Sequence, residues 1–325
     1  MADTPRISVA LCTHNGARYL PDQLDSIAEQ SLPVDELLIS DDASRDETVD
    51  VVRRFASERR GRTAVELAQN EPALGVTKNF ESVLGRVSGD IVFLCDQDDV
   101  WRPDKVSALV SRLDAGAAQL VFTDASIVDG KGRTAQGSLF GNLRIASSEL
   151  SAIEQGRARE VLLRRNVVTG ATAATTHRLL EVALPIPESW VHDEWLAIVA
   201  AVVGEVRVDR RRLTSYRLHG ANEIGATRLD LRAAFGRLTA SRTDRNGRLL
   251  ERARALADRF GADPSVDLEV RDAIRAKLRH EEVRSSYPRG RLRRIRPAFA
   301  EWRSGAYARF GLGAQDLLRD ILQPV

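Results

Sequence analysis

Residues 91–95, Ile-Val-Phe-Leu-Cys, run without a break into Asp96-Gln97-Asp98-Asp99. An unbroken apolar run of this length reads as a strand covered on both faces, the kind found in parallel sheets sandwiched by helices. Three carboxylates within four positions then close the strand. Ligands of open parallel sheets bind beyond the carboxyl ends of the strands, so these acids fall where a ligand would lie. Crowded together they repel one another unless something positive joins them. A hard divalent cation held by oxygen atoms is the simplest such partner.

The pattern upstream repeats. Residues 7–12 and 36–40 are short Val/Ile/Leu runs, and 64–67 is a third. Between them lie helical stripes: Leu20, Leu24 and Ile27, then Val49, Val52 and Phe55, then Val76, Phe80, Val83 and Val87. After the acids, Val106, Leu109, Val110 and Leu113 form another stripe, and residues 120–124 another strand. Strands alternating with helices at this interval predict βαβ units, hence an α/β domain with a mostly parallel sheet and helices on both faces. Residues 133–190 are less regular, with an arginine-rich helix expected near 155–165. Residues 205–218 read as a strand pair. From 227 onward arginine-rich helical patterns take over, which divides the chain into an α/β domain (1–226) and a helical C-terminal region (227–325).

Composition narrows the function classes. In 325 residues, 48 Lys+Arg against 46 Asp+Glu give a net charge of +2, so there is no global polyanion-binding signal and no nucleic-acid module. Cys12 and Cys95 both fall in expected buried strands and read as small hydrophobes of a reducing compartment. No signal peptide is legible, and the longest later apolar run, Leu196 to Gly204, is far short of the ~20 residues a membrane-spanning helix needs. The expectation is a cytoplasmic protein, soluble or peripheral on the inner face of the cell membrane. No GxxxxGK[ST] occurs and no GxGxxG follows the first strand, which argues against P-loop NTPases and dinucleotide-dependent dehydrogenases.

Three polar clusters therefore sit at strand ends: Thr13-His14-Asn15, Asp41-Asp42 and Asp96/Asp98/Asp99. Neighbouring strands of one sheet would gather them into a single crevice, where base edges, ribose hydroxyls and a diphosphate–metal unit could each find a partner. Simpler readings stand beside this one. Asp41-Asp42 could cap the next helix, His192-Asp193 could cap another, and Trp190 and Trp195 could fill a core rather than stack on a sugar.

The ordered set Thr13-His14-Asn15, Asp41-Asp42, Lys78-Asn79-Phe80, Asp96-Gln97-Asp98-Asp99, Thr169-Gly170-Ala171-Thr172, His192-Asp193 and His219 resembles family 2 glycosyltransferases of the GT-A fold. Asp98-Asp99 followed by Val100-Trp101, the His192-Asp193-Glu194-Trp195 segment and Tyr216 to Asn222 are similar to bacterial rhamnosyltransferase-like members. The resemblance covers residues 6–226. It implies a nucleotide-sugar donor (a dTDP- or UDP-sugar, with L-rhamnose foremost), inversion at the sugar carbon, Mg2+ or Mn2+ as cofactor, and a cell-surface glycan or lipid-linked acceptor. It further implies Thr13, Asn15 and Lys78 at the nucleotide sugar, Asp41 at the base, Asp96 at the ribose, Asp98 and His219 at the metal, and Asp193 as general base. Two rivals remain: another metal-dependent nucleotide enzyme, such as a nucleotidyltransferase, and a non-catalytic assembly module. Arginines interleaved with Leu292, Ile295, Phe299 and Trp302 over 284–303 would allow a peripheral contact with an anionic membrane.

Overall fold

The computed structural model describes residues 4–58, 63–113, 117–218 and 241–324. These cluster into two compact units. The first comprises the chain to Ala158, Val167–Ile186 and the segment from Val191 onward; the second comprises Arg159–Asn166, Pro187–Trp190 and the C-terminal helices. The boundary expected at 226 lies outside the described residues.

In the first unit β1 (Ile7–Thr13), α1 (Leu20–Ala28), β2 (Glu36–Asp41), α2 (Thr48–Glu58), β3 (Ala64–Gln69), α3 (Val76–Leu84) and β4 (Ile91–Asp96) follow in the expected order. Then come β5 (Val100–Trp101), α4 (Lys105–Leu113), β6 (Ala118–Asp129), β7 (Thr134–Ser138), α5 (Leu139–Asn142) and α6 (Ser147–Glu154), followed by α7 (Ala158–Leu162), which belongs to the second unit from Arg159 on. After β8 (Ala173–Thr176), α8 (His177–Ala183) and α9 (His192–Val203) lead into β9 (Glu205–Leu218). One sheet holds all nine strands of the described residues, in the order β3-β2-β1-β4-β8-β6-β9-β5 with β7 on β6. β1, β2, β3, β4, β6 and β9 point one way; β5, β7 and β8 oppose them.

Burial explains the half that the pattern predicts. Every residue of β1 and β2 is buried, because helices cover both faces. On one face Ile7, Val9, Leu11, Ile39 and Phe93 pack against Leu24 and Ile27 of α1, Val52 of α2 and Leu109 of α4. On the other, α3 packs on β1 and β2. Two features differ from expectation. The strand pair at 205–218 is one long strand, whose Asp209-Arg210-Arg211-Arg212 stretch is a bulge rather than a turn: Thr123 pairs with Asp209 and the next residue with Arg212. The region after 165 also returns to the sheet, as β8, antiparallel between β4 and β6.

The second unit contains α10 (Arg242–Phe260), α11 (Leu268–Ser285), α12 (Arg291–Arg303), α13 (Ala306–Phe310) and α14 (Ala314–Leu322). Leu256, Phe260, Ile274, Tyr307 and Phe310 are buried, and so are Arg284, Glu281 and Asp320. Its core is therefore partly ionic. Arg284 donates to Asp320 Oδ2 at 2.7 Å and to Glu281 Oε2 at 2.8 Å, and Lys277 donates to Glu281 Oε1 at 2.7 Å.

Candidate functional site

Register fixes how the strand ends meet. Thr13 lies opposite Asp41, and Cys12 opposite Asp96, so the first and second clusters and the acidic run close adjacent strands. Thr13 Oγ1 donates to Asp41 Oδ1 at 2.7 Å, and Ser44 donates to Asp41 through both its amide and its hydroxyl. Asp42 instead accepts the amides of Leu74 and Gly75 at 2.7 and 2.8 Å, together with Asn70 Nδ2. Neither acid caps α2; Asp46 accepts the Thr48 amide ahead of that helix.

The turn after β1 is held by its own side chains. Asn15, at φ 48°, accepts the Arg45 amide at 2.8 Å and reaches His14 Nε2 with its amide nitrogen. His14 Nδ1 lies 2.6 Å from the Asp42 carbonyl. Gln97, inside the acidic run, takes the His14 amide at 2.9 Å and donates to the His14 carbonyl at 3.0 Å. A Cβ on Gly16 would fall 2.0 Å from Gln97 Oε1, so only glycine lets this clamp close. The clamp locks the end of β1 to the end of β4.

Asp96 and Asp98 are partly open to solvent and Asp99 is buried. Burial, reinforced by Asp98 and Asp193, raises Asp96 to about 7 against the opposing pull of Lys105. Burial likewise raises Asp99 well above the carboxylate range, with Asp98 and Asp96 adding to it. Asp99 Oδ1 accepts the Arg217 amide at 3.0 Å, whereas its buried Oδ2 has no hydrogen-bond partner among the described residues. The Arg217 guanidinium donates to the Asp98 carbonyl at 2.8 Å and stacks on Tyr19. Lys105 is wholly buried, lies 3.9 Å over the Trp101 ring and donates to the Ala171 carbonyl at 2.8 Å. Sequence reasoning assigned neither Lys105 nor Arg217 to this place. Lys78, the cation it did name, is turned to Glu81 at 2.9 Å and to the Ile186 carbonyl at 3.2 Å.

Asp193 joins the acids from the first turn of α9. Its Oδ1 accepts the Glu194 amide at 2.7 Å and its Oδ2 the Gly170 amide at 3.0 Å. His192 beside it is buried and stacked on Phe80 at 3.8 Å, and burial drives its imidazole down to about 3, so the ring is neutral. A Cβ on Gly170 would meet His192 Nε2 at 3.0 Å, so the Gly170 turn lies directly against this pair. Burial raises the Tyr216 phenol, and Asp96, Asp99, Asp98 and Asp193 all raise it further. One phenol thus feels all four carboxylates. Trp195, by contrast, is core, its indole donating to the Ala183 carbonyl at 2.7 Å. Cys12 and Cys95 are free buried thiols, pushed up by burial and held neutral.

Oxygen donors whose charges crowd one another suit a hard divalent cation. Among the described residues no three acids or histidines form a ready metal cage. Mg2+ is commonly bound by one or two carboxylates together with the oxygens of a phosphate ligand. His219 lies outside the described residues.

The family model described as glycosyl transferase family 2 matches residues 8–175, more than half of the chain and all of the sheet from β1 nearly to the end of β8. An uncharacterized glycosyltransferase of Nostoc sp. is 26% identical over 223 residues, which are 67% of this chain and 66% of that protein's length. Two solved structures align with most of the chain. TarS of Staphylococcus aureus, residues 1–349 with UDP-GlcNAc, superimposes with a TM-score of 0.58 at 17% identity, covering 92% of this chain and 81% of that one. A mannosyltransferase from Pyrobaculum calidifontis, with GDP-Man and Mn2+, gives 0.56 at 20% identity over 98% and 79%. At such identities the likeness concerns the fold, which is the GT-A fold.

Proposed function

The chain belongs to glycosyl transferase family 2, and on that premise we propose that it transfers a sugar from a nucleotide-sugar donor with inversion, Asp193 acting as general base. The observation that carries the reading is the convergence of Asp193, from a helix more than ninety residues downstream, on the acids that end β4.

In this reading Asp41 meets the base, Asp96 the ribose, and Thr13 and Asn15 line the nucleotide end. Asp41 and Asn15 are preset for such contacts by Thr13, Ser44 and the Arg45 amide. Asp98, with His219, would hold Mg2+ or Mn2+, which would offset the charge gathering on the departing diphosphate. Lys78 would need to leave Glu81 to reach that diphosphate. Asp193 takes the acceptor hydroxyl proton as the acceptor oxygen bonds to the sugar carbon and the bond from that carbon to the diphosphate oxygen breaks. The Gly170 and Glu194 amides fix the carboxylate, and α9 presents its positive end to it. Attack and departure on opposite faces in one step invert the centre.

For the donor we propose dTDP-rhamnose, with a UDP-sugar as the nearest alternative, and for the acceptor a cell-surface glycan or lipid-linked precursor. The motifs around Trp101, His192 and Tyr216 support the rhamnosyl assignment, and the nucleotide sugars bound by the two structural neighbours support the donor class. The reading also takes residues 1–226 as the catalytic domain and 227–325 as its helical extension. Release of nucleoside diphosphate from a panel of nucleotide sugars tests it, as set out at the end of the Discussion.

We propose further that the protein is cytoplasmic and touches the membrane surface peripherally through residues 284–303. No helix among the described residues is long and apolar enough to cross a membrane. α12 exposes Leu292 (83%), Ile295 (44%) and Phe299 (54%) at helical spacing on one side. Arg289, Arg291, Arg293 and Arg296 are exposed around them, whereas Arg284 and Arg294 are buried and engaged within the unit. Replacing Leu292, Ile295 and Phe299 together by serine should abolish sedimentation with phosphatidylglycerol vesicles. Wild-type protein that stays in the supernatant would refute the contact.

A further inference from the structure

Lys105 opens α4 a few residues beyond the acids, yet its whole side chain is buried. Folding a lysine into an interior is costly unless the ammonium group is paired and hydrogen-bonded there. Among the described residues its Nζ makes one hydrogen bond, to the Ala171 carbonyl at 2.8 Å; it also rests on the face of Trp101 and is drawn towards Asp99 and Asp96. Ala171 is the middle residue of a 3-10 turn, Gly170–Thr172. The first amide of that turn, Gly170 N–H, donates to Asp193 Oδ2 at 3.0 Å. The turn is therefore gripped from two sides: α4 holds its carbonyl, and its amide holds the carboxylate on α9. A side chain at Gly170 would crowd this pair, since a Cβ there would lie 3.0 Å from His192 Nε2 and 3.5 Å from Asp193 Cβ.

We propose that Lys105 is a positioning residue for Asp193, acting through the Gly170–Thr172 turn, so that the segment following the acidic run aims the carboxylate that arrives from α9. The inference rests on reading Asp193 as the base. It links two parts of the site that are far apart in sequence through a single turn, and it gives the buried ammonium group a role beside that of counter-charge to Asp96 and Asp99.

The test is a double-mutant cycle on the steady-state rate of transfer. Lys105→Met should lower kcat by about 10–100-fold, since misplacing a reacting group by about 1 Å can cost that much. The donor dissociation constant is compared on Lys105→Arg, which keeps the positive charge beside Asp96 and Asp99, and there it should change by less than about threefold. In an Asp193→Asn background, Lys105→Met should lower the residual rate by less than about threefold, because the group it positions is already gone. Lys105→Arg, which keeps a cationic donor, should recover part of the rate; it also carries the cycle if the methionine variant does not fold. Equal losses in the wild-type and Asp193→Asn backgrounds would overturn the inference, as would a Lys105→Arg variant that weakens donor binding in step with kcat. Should Asp193→Asn itself transfer at the wild-type rate, the base assignment fails instead, whatever the lysine does.

Discussion

Asp193→Asn should lower the transfer rate by about 10²–10⁴-fold, the range lost when a general base is removed. The asparagine can still accept the Gly170 amide through its carbonyl oxygen, so the turn and the start of α9 keep their arrangement. Nucleotide-sugar affinity should change little, because Asp41, Asp96 and Asp98 lie on other strand ends. The comparison to make is kcat against the donor dissociation constant by calorimetry. A variant that transfers at the wild-type rate would remove Asp193 from the chemistry. Glu194→Gln serves as the control, since Glu194 follows Asp193 on the same turn and its amide, not its side chain, holds the carboxylate.

The second large effect is on stability. Arg284 is buried between Asp320 and Glu281, and the Tyr307 hydroxyl donates to the same Asp320 at 2.8 Å. Arg284→Met would take from Asp320 the guanidinium group that donates to it at 2.7 Å and would leave Glu281 with Lys277 as its partner. Removing one partner of such a buried pair typically costs about 3–5 kcal/mol. Denaturation followed by fluorescence can tell the two units apart, because Trp190 and Trp302 belong to the second and Trp101 and Trp195 to the first. The transition reported by Trp190 and Trp302 should move to lower denaturant; an unchanged midpoint would mean that the network contributes nothing.

Acid should act on the same unit. Burial pushes Glu281 and Asp316 upward, but Lys277 and Arg284 around the first, and Arg284 and Arg245 around the second, outweigh it and hold both below their ordinary range. Carboxylates depressed in the folded state stabilise it fully above their unfolded values near 4, and that stability is lost as pH falls through the folded values, so the second unit should weaken below about pH 4.

Much of this was legible in the chain, and the reasons are particular. β1, β2 and β4 announce themselves because both their faces are buried, which leaves unbroken apolar runs. The acids could be located because parallel strands carry polar groups at their ends. β8 escaped because Ala-Ala-Thr-Thr is four residues with no apolar period. β5 escaped because a two-residue strand exists only through its pairing with β9. The Asp209–Arg212 stretch looks like a turn, since a bulge puts the same polar residues at a strand's irregularity. Lys105 and Arg217 were missed for a common reason: a lone cation reads as a surface residue, and only tertiary packing buries it. The same blindness applied to Arg284 and Arg294, which looked like part of an arginine-rich surface and are interior groups.

The most direct measurement is of what leaves the donor. Purified protein is incubated with dTDP-rhamnose, other dTDP-sugars, UDP-sugars and GDP-mannose, each with Mg2+, Mn2+ or EDTA and a membrane-glycan extract as acceptor source, and the nucleotide products are resolved by mass spectrometry. Nucleoside diphosphate should accumulate with one donor, dTDP-rhamnose, only when a divalent cation is present, and Asp193→Asn should stop it. Release of nucleoside monophosphate or pyrophosphate in its place, or no turnover of any donor under every condition, would contradict sugar transfer at this site.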